Sequence, residues 1–428
     1  MTGAAGPWLQ QAARQLNGGD FTGAWNSYMA ALQAEPGNDQ AWLGLGLAAL
    51  LRRDWAAIVG LADRRQARTG DGFAWFHDVT SSAMGYGLGV LVEVLGNHLD
   101  PSSTYAVSQL YHAACARLQA DDEDGAFVLL NRLKPLLAQH RDSLPNGPGD
   151  RFNIAWRQAT LVEDGDYPDT LSPSLLNSRA ADLPEPRLVG TWGDGDTAEY
   201  VLLAACDGKY LDRFGADYLD SAARMGPGGL VHLHVVEADD DAVADFCQLA
   251  ARAGMAVAVS VEGANPWRSG AYYACSRFLV AAWVKAQHGG KPLMATDIDI
   301  RFIRPLAELV ELARPFAFAS FLYEAGLGPA SRLPAVWTWF AGPDGDAMLD
   351  SLRKVLLSKL DVPWPHNWML DQAGLMCARR WLRRARPAAA IGEVNRLGDR
   401  RYFTDFLECR GDEDDKAALI RQAGQSPS

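Results

Sequence analysis

Leu293-Met294-Ala295-Thr296-Asp297-Ile298-Asp299-Ile300-Arg301-Phe302 runs from a short apolar strand into two aspartates one residue apart. Polar and apolar positions then alternate into Ile303-Arg304-Pro305-Leu306. In an open α/β sheet, ligands bind beyond the carboxyl ends of the strands, so a strand closing on Asp-x-Asp delivers carboxylates to that edge. Two carboxylates so close repel, by roughly 4 kcal/mol at 4 Å and an effective dielectric of 20. A divalent cation turns that repulsion into attraction, and an oxygen-only donor set suits Mg²⁺ or Mn²⁺.

Working outward, strands and helices alternate. Residues 200–206 form an apolar run ending in Asp207-Gly208-Lys209, and a helix with Leu211, Phe214, Tyr218, Leu219 and Ala222 on one face follows. Residues 230–236 and 255–261 are the next strands. The helix between them opens on Asp239-Asp240-Asp241, which suits the positive end of its dipole. Ser269 is placed to cap a long helix that runs to Gln287 and closes on Gly289-Gly290. Residues 316–322 and 335–341 are further strand candidates, and residues 344–360 and 368–386 read as helices. This order predicts a three-layer α/β domain with a mostly parallel sheet.

The first third reads as helical and repeated. Trp8 and Trp42 are 34 residues apart, as are Asp20 and Asp54, and Phe21 and Trp55. A period of 34 is that of the tetratricopeptide repeat, a pair of helices. Trp8, Ala12, Gly19-Asp20-Phe21, Ala24, Tyr28, Ala31 and Pro36 resemble that family's spacing. A second unit keeps Trp42, Leu45, Gly46 and Asp54-Trp55, and a third is suggested by Tyr111-His112-Ala113-Ala114 and Asp124-Gly125-Ala126-Phe127. The expected organisation is an all-α repeat domain over 1–140, a breaker-rich connector over 141–195, the α/β domain over 196–411 and a tail over 412–428.

Composition narrows the function. Hydrophobic residues at 48% and charged residues at 21% are globular values. A net charge of -12 argues against a nucleic-acid backbone as partner. The six cysteines are scattered with no Cys-x-x-Cys pair, which reads as reduced thiols in a cytoplasmic protein. No secretory signal and no transmembrane segment is expected.

Pro292 to Asp299, followed by Ile303-Arg304-Pro305-Leu306-Ala307-Glu308-Leu309, resembles the nucleotide-sugar glycosyltransferases of the GT-A fold. The resemblance implies a metal-dependent transferase that uses a nucleoside-diphosphate sugar. It makes Asp299 a direct Mn²⁺ or Mg²⁺ ligand, and Asp297 a contact to ribose or sugar and a second metal ligand. Asp207 and Lys209, after the first strand, then face the nucleotide; an ordinary Asp-Gly turn is the alternative. Tyr273 and Arg277 share one helix face, and the resemblance takes Arg277 to the donor phosphate or the aspartates. A structural ion pair with Asp297 is its other reading. Trp368-Met369-Leu370-Asp371-Gln372 resembles the family's Asp-Gln stretch, which puts Asp371 and Gln372 beside the transferred sugar with Asp371 as a candidate base. The family's late His segment has no counterpart after Asp371; His366 is the candidate third metal ligand, with a place in the acceptor site as its other reading and Asp, water or phosphate oxygens as the alternative ligands.

Three features read as structural. His232 and His234 face one side of a strand, and a packed or hydrogen-bonded pair is favoured over zinc. Trp337 and Trp339 lean to core, and the Arg379 to Arg386 cluster to a solvated helix face. The repeat domain implies a protein acceptor or partner. The rival reading of the whole chain is a non-catalytic interaction protein with a degenerate transferase domain.

Overall fold

The computed structural model describes residues 3–144, 159–237, 240–267, 269–322, 332–362, 367–397 and 402–410. The chain divides into two compact units, Met1–Asn146 and Gly147–Ser428. Described residues from 159 onward belong to the second unit.

The first unit is helical: α1 (Gly6–Asn17), α2 (Phe21–Ala34), α3 (Asp39–Leu51), α4 (Trp55–Thr69), α5 (Gly72–Gly85), α6 (Gly89–Leu95), α7 (Thr104–Gln119) and α8 (Glu123–Gln139). Helices α2, α4, α6 and α8 begin at residues 21, 55, 89 and 123, a step of 34 each time. The period thus holds over four helix pairs, where the sequence displayed two. The reason lies in the caps. Asp20, Asp54 and Asp122 each accept a hydrogen bond from the backbone N–H three residues on, at 2.8, 3.2 and 2.9 Å, satisfying donors that a helix start leaves orphaned. The corresponding residue before α6 is Leu88, which makes no side-chain cap, so the signal is interrupted there. The cap of the fourth pair is Asp122, and Asp124 of the sequence pattern lies in the first turn of α8. Close approach sets the core: a Cβ on Gly44 would lie 2.2 Å from the Tyr28 ring, and one on Gly46 2.3 Å from Val79.

Among the described residues of the second unit, helical residues 159–161 precede two short helices, α9 (Tyr167–Thr170) and α10 (Pro173–Ala181), and strand β1 (Arg187–Trp192). There follow β2 (Tyr200–Asp207), α11 (Gly208–Met225), β3 (Gly229–Val236), α12 (Asp240–Ala250), β4 (Ala256–Glu262) and α13 (Gly270–Gln287). Next come β5 (Leu293–Thr296), β6 (Ile300–Phe302), α14 (Leu306–Ala313), β7 (Phe318–Ser320), β8 (Trp337–Phe340) and α15 (Gly342–Lys359). The last elements are α16 (Leu370–Ala385), β9 (Ile391–Glu393) and β10 (Leu407–Cys409). The main sheet has the order β1-β4-β3-β2-β5-β8-β7-β9. Strands β4, β3, β2 and β5 are mutually parallel, and β8 and β1 run against their neighbours. Strand β1 lies in the expected connector; its residues are mostly exposed, so no buried period marked it.

The central strands are buried on both faces, as their unbroken apolar runs require. Leu202, Ala204, Val231 and Leu233 share a core with Leu211 and Phe214 of α11, Val243 and Phe246 of α12, and Leu306 and Leu309 of α14. The alternate residues of β3 face α13 instead, and α13, α15 and α16 contact one another. This makes three layers. Trp337 and Trp339 are buried in the core. Arg383, Arg384 and Arg386 are exposed, as a solvated face requires, but Arg379 and Arg380 correct that reading. Arg379 is buried against Glu393, and Arg380 Nη2 meets Asp164 Oδ1 at 3.0 Å. The Arg380 pair, with Trp381 Nε1 donating to Asp169, ties α16 to the segment before β1, and the Arg379 pair ties it to β9.

The caps make a prediction about stability. Asp20→Ala removes one N-cap, worth about 1 kcal/mol. Asp122→Ala removes a cap and the ion pair from Arg117, whose Nη1 lies 2.6 Å away. Urea titration followed by circular dichroism is expected to show the larger midpoint loss for Asp122→Ala, and equal losses would contradict the shared role.

Candidate functional site

The strand order creates the site. From β2 the chain steps outward to β3 and β4, then returns to place β5 on the other side of β2. Where the order reverses, the loops after two adjacent strands diverge and leave a crevice at their carboxyl ends. The residues closing those strands are Asp207 on β2 and Asp297 after β5. The Asp-x-Asp loop is held at both ends. Asp297 N–H donates to Val336 O at 3.3 Å, and Asp299 O accepts from Arg410 N–H at 2.7 Å. Strands β6 and β10 pair antiparallel just beyond, with Arg301 opposite Glu408.

Arg277 joins the expected residues. It sits on α13, and its side chain is 2% exposed. Nη1 meets Asp297 Oδ1 at 2.7 Å, and Nη2 reaches Asp371 Oδ2 and Ala335 O, each at 3.1 Å. The ion pair with Asp297 is the structural reading of Arg277. The bond to Asp371 has no antecedent in the sequence, because 94 residues separate the two. Asp371 stands in the first turn of α16, just after Met369, which has a left-handed φ of 68°. That conformation costs a non-glycine residue on the order of 1–3 kcal/mol, a cost concentrated at the turn that aims Asp371.

Asp299 is buried, and its charge acts on Arg277 together with those of Asp297 and Asp371. Burial pulls the Arg277 pKa down, but Asp297 and Asp371 outweigh it and hold the guanidinium above its usual range. Burial drives the Asp371 carboxyl above the usual carboxylate range, against the pull of Arg277 and with the help of Asp297.

The other expected residues stand at the end of β2, at the start of α11, and on α13 and α16. Asp207 Oδ1 caps α11 by accepting from Tyr210 N–H at 2.9 Å, which is the Asp-Gly turn reading. Lys209 is exposed, and Tyr273 and Gln372 are half-buried. Gln372 N–H donates to Asp371 Oδ1 at 2.9 Å. His366 lies outside the described residues. Among the described residues no group of three His, Cys, Asp or Glu side chains is gathered closely enough to hold a metal ion by itself. The sequence reading missed the Ala335 carbonyl, which carries no side-chain signal. It also missed the β6–β10 pairing, whose one trace is the complementary Arg301 and Glu408.

No protein-family model and no curated protein matches the chain. Three solved structures with partial likeness are glycosyltransferases. GlyE of Streptococcus pneumoniae TIGR4 shares 11% identity at a TM-score of 0.34, over 54% of this chain and 61% of that one. The bifunctional WbbM, in its apo structure, shares 13% at 0.32 over 54% and 45%. A mutant of the Thermobaculum terrenum O-GlcNAc transferase shares 15% at 0.18 over 65% and 44%. The chain thus spans less than two thirds of each. Among the described residues no helix is long and apolar enough to cross a membrane.

The raised Asp371 pKa fixes a sign. A carboxyl whose folded pKa lies above its unfolded value is most stabilising when protonated, and that contribution is lost as pH rises through the folded pKa. Asp371→Asn keeps an acceptor for Arg277 and removes a buried charge. At pH 8 its melting temperature is expected to equal or exceed that of the natural protein, with the gap closing as pH falls toward 4. A large loss at pH 8 would contradict the assignment.

Proposed function

We propose that the second unit is a GT-A-type glycosyltransferase that moves a sugar from a nucleoside-diphosphate donor to an acceptor hydroxyl. The observation that carries the proposal is the carboxylate cluster at the reversal of strand order, organised by a buried arginine. Carboxylates repel a diphosphate unless a cation intervenes. The donor set suits one: Asp297 and Asp299 supply hard oxygen ligands, and Asp297 has a third of its side chain exposed. Mn²⁺ or Mg²⁺ held there supplies charge neutralisation to the departing nucleoside diphosphate.

The chain's own residues have separable tasks. Arg277 fixes the orientation of Asp297 and holds Asp371 in reach of the same crevice. Asp371, with a raised pKa, is suited to accept a proton from the acceptor hydroxyl once that hydroxyl is within hydrogen-bond distance. Gln372, half-buried beside it, offers an amide to sugar hydroxyls. Lys209 is exposed after β2, where its ammonium can meet donor phosphate, and Tyr273 shares the Arg277 face of α13. His366 is proposed as a further ligand or acceptor-side residue. The four-pair helical unit resembles a tetratricopeptide array, and its proposed task is to recruit a protein acceptor or partner, in the cytoplasm.

Calorimetry with a panel of nucleoside diphosphates tests the reading. One member is expected to bind in the presence of Mn²⁺, to lose affinity with EDTA, and to lose roughly ten-fold or more in Asp299→Ala. Equal affinity with Mn²⁺ and with EDTA, or an unchanged Asp299→Ala, would refute it.

A further inference from the structure

The segment from Glu163 to Ala181 packs on the helical layer that carries Arg277 and Asp371. Its polar groups take partners on two helices of that layer. Near the end of α15, Glu163 Oε1 meets Lys359 Nζ at 2.6 Å, and the Tyr167 hydroxyl meets Ser358 Oγ at 3.1 Å. The Lys359 ammonium also stands over the Tyr167 ring, 5.1 Å from its centre. On α16, Arg380 pairs with Asp164, Cys377 Sγ donates to Asp164 O at 3.2 Å, and Trp381 Nε1 donates to Asp169. The fit is close: a Cβ on Gly165 would stand 2.9 Å from the Arg380 carbonyl carbon and 3.0 Å from Trp381 N.

Arg179, in the last turn of α10, carries this hold one step further. Its Nη2 lies 2.6 Å from Asp361 Oδ2, just past α15, and its guanidinium stands over the Trp267 ring, 5.8 Å from the centre. Trp267 belongs to the turn between the carboxyl end of β4 and the start of α13. Two backbone donors shape that turn. Trp267 N–H donates to Asn265 Oδ1 at 2.8 Å, and Asn265 N–H donates to Glu237 Oε1 at 3.1 Å. One side chain thus joins the segment held on α15 and α16 to the turn that enters α13 at the ligand edge of the sheet.

A single exposed ion pair contributes little, because solvent screens it and two long side chains must be ordered. Here the pairs form a network along one segment. The side chains of Arg380, Lys359 and Arg179 are 8, 11 and 22% exposed, and each is met by a backbone already ordered by the other contacts. A guanidinium suits the last step, since its plane stacks on an indole face while its edge binds a carboxylate.

We propose that Arg179 is a positioning residue for the candidate site. It clasps the turn entering α13 to the segment held on α15 and α16, and so fixes the ligand-side ends of α13 and α16 relative to one another. Arg277 stands about two turns into α13, and Asp371 stands in the first turn of α16. The effect on ligand binding rests on the donor-site reading given above; the clasp does not.

Two measurements on the full-length protein separate these statements. Amide hydrogen exchange, read residue by residue, tests the clasp. The Asn265 and Trp267 amides report the turn, and the amides of β2 and β3 report the unit as a whole. Arg179→Gln is expected to speed exchange of the first two several-fold and to leave β2 and β3 unchanged. Arg179→Lys, which keeps the charge and loses the stacking plane, is expected to fall between. Gly165→Val, which drives the segment off α16 without touching the turn, is expected to speed the same two amides. Unchanged exchange at Asn265 and Trp267 in either Arg179→Gln or Gly165→Val, or an equal change in β2 and β3, overturns the clasp. Calorimetry of uridine, guanosine, adenosine, cytidine and thymidine diphosphates with Mn²⁺ tests positioning. The diphosphate that binds the natural protein is expected to bind Arg179→Gln several-fold more weakly, and Arg179→Lys is expected to restore part of the loss. Faster exchange with unchanged affinity overturns the positioning role and leaves the donor reading standing. Failure of the natural protein to bind any of the five overturns the donor reading and the positioning role together, and the exchange rates still decide the clasp.

Discussion

A buried guanidinium cannot stand unpaired, and Arg277 obtains its partners from three parts of the chain. Asp297 arrives at the end of β5, Asp371 in the first turn of α16, and the Ala335 carbonyl just before β8. Each reaches Arg277 only if α13 crosses the sheet where it does and if β8 runs antiparallel beside β5. Breaking a buried pair by removing one partner costs about 3–5 kcal/mol, because a charge is left uncompensated. The cluster therefore couples the layers of the second unit.

That coupling carries an electrostatic cost. Burial drives Asp371 upward in pKa, against the pull of Arg277. Met369 holds a left-handed backbone to aim that carboxylate. Local strain and a shifted pKa in one place are features that structures concentrate at functional sites. The Arg380–Asp164 and Arg379–Glu393 pairs on α16 are also largely buried.

Much of the α/β unit was legible in the sequence because its central strands are buried on both faces and appear as unbroken apolar runs. The Ser269 cap is found as expected, bonded to Tyr272 N–H at 3.1 Å. Short edge elements were not legible: β1 is mostly exposed, and β6, β9 and β10 are three residues each. The helical period was legible for two units and then lost at Leu88, where an apolar residue that packs on the core replaces a capping aspartate. At the site, Asp297, Asp299, Arg277 and Asp371 could each be singled out by residue type and position. That Arg277 binds Asp371 could not, since a contact across 94 residues leaves no local pattern. Nor could the place of Ser260, whose hydroxyl lies 2.8 Å from His232 Nε2 and 2.9 Å from His234 Nδ1 of the neighbouring strand.

A double-mutant cycle on unfolding stability tests most directly whether Arg277 is the charge on which the cluster depends. Arg277→Met alone is expected to lose about 3–5 kcal/mol, since it strands buried carboxylates. Adding Asp371→Asn to Arg277→Met removes one of those charges and is expected to recover a substantial part of the loss. Two effects that add independently, or an Arg277→Met protein as stable as the natural one, would contradict the account.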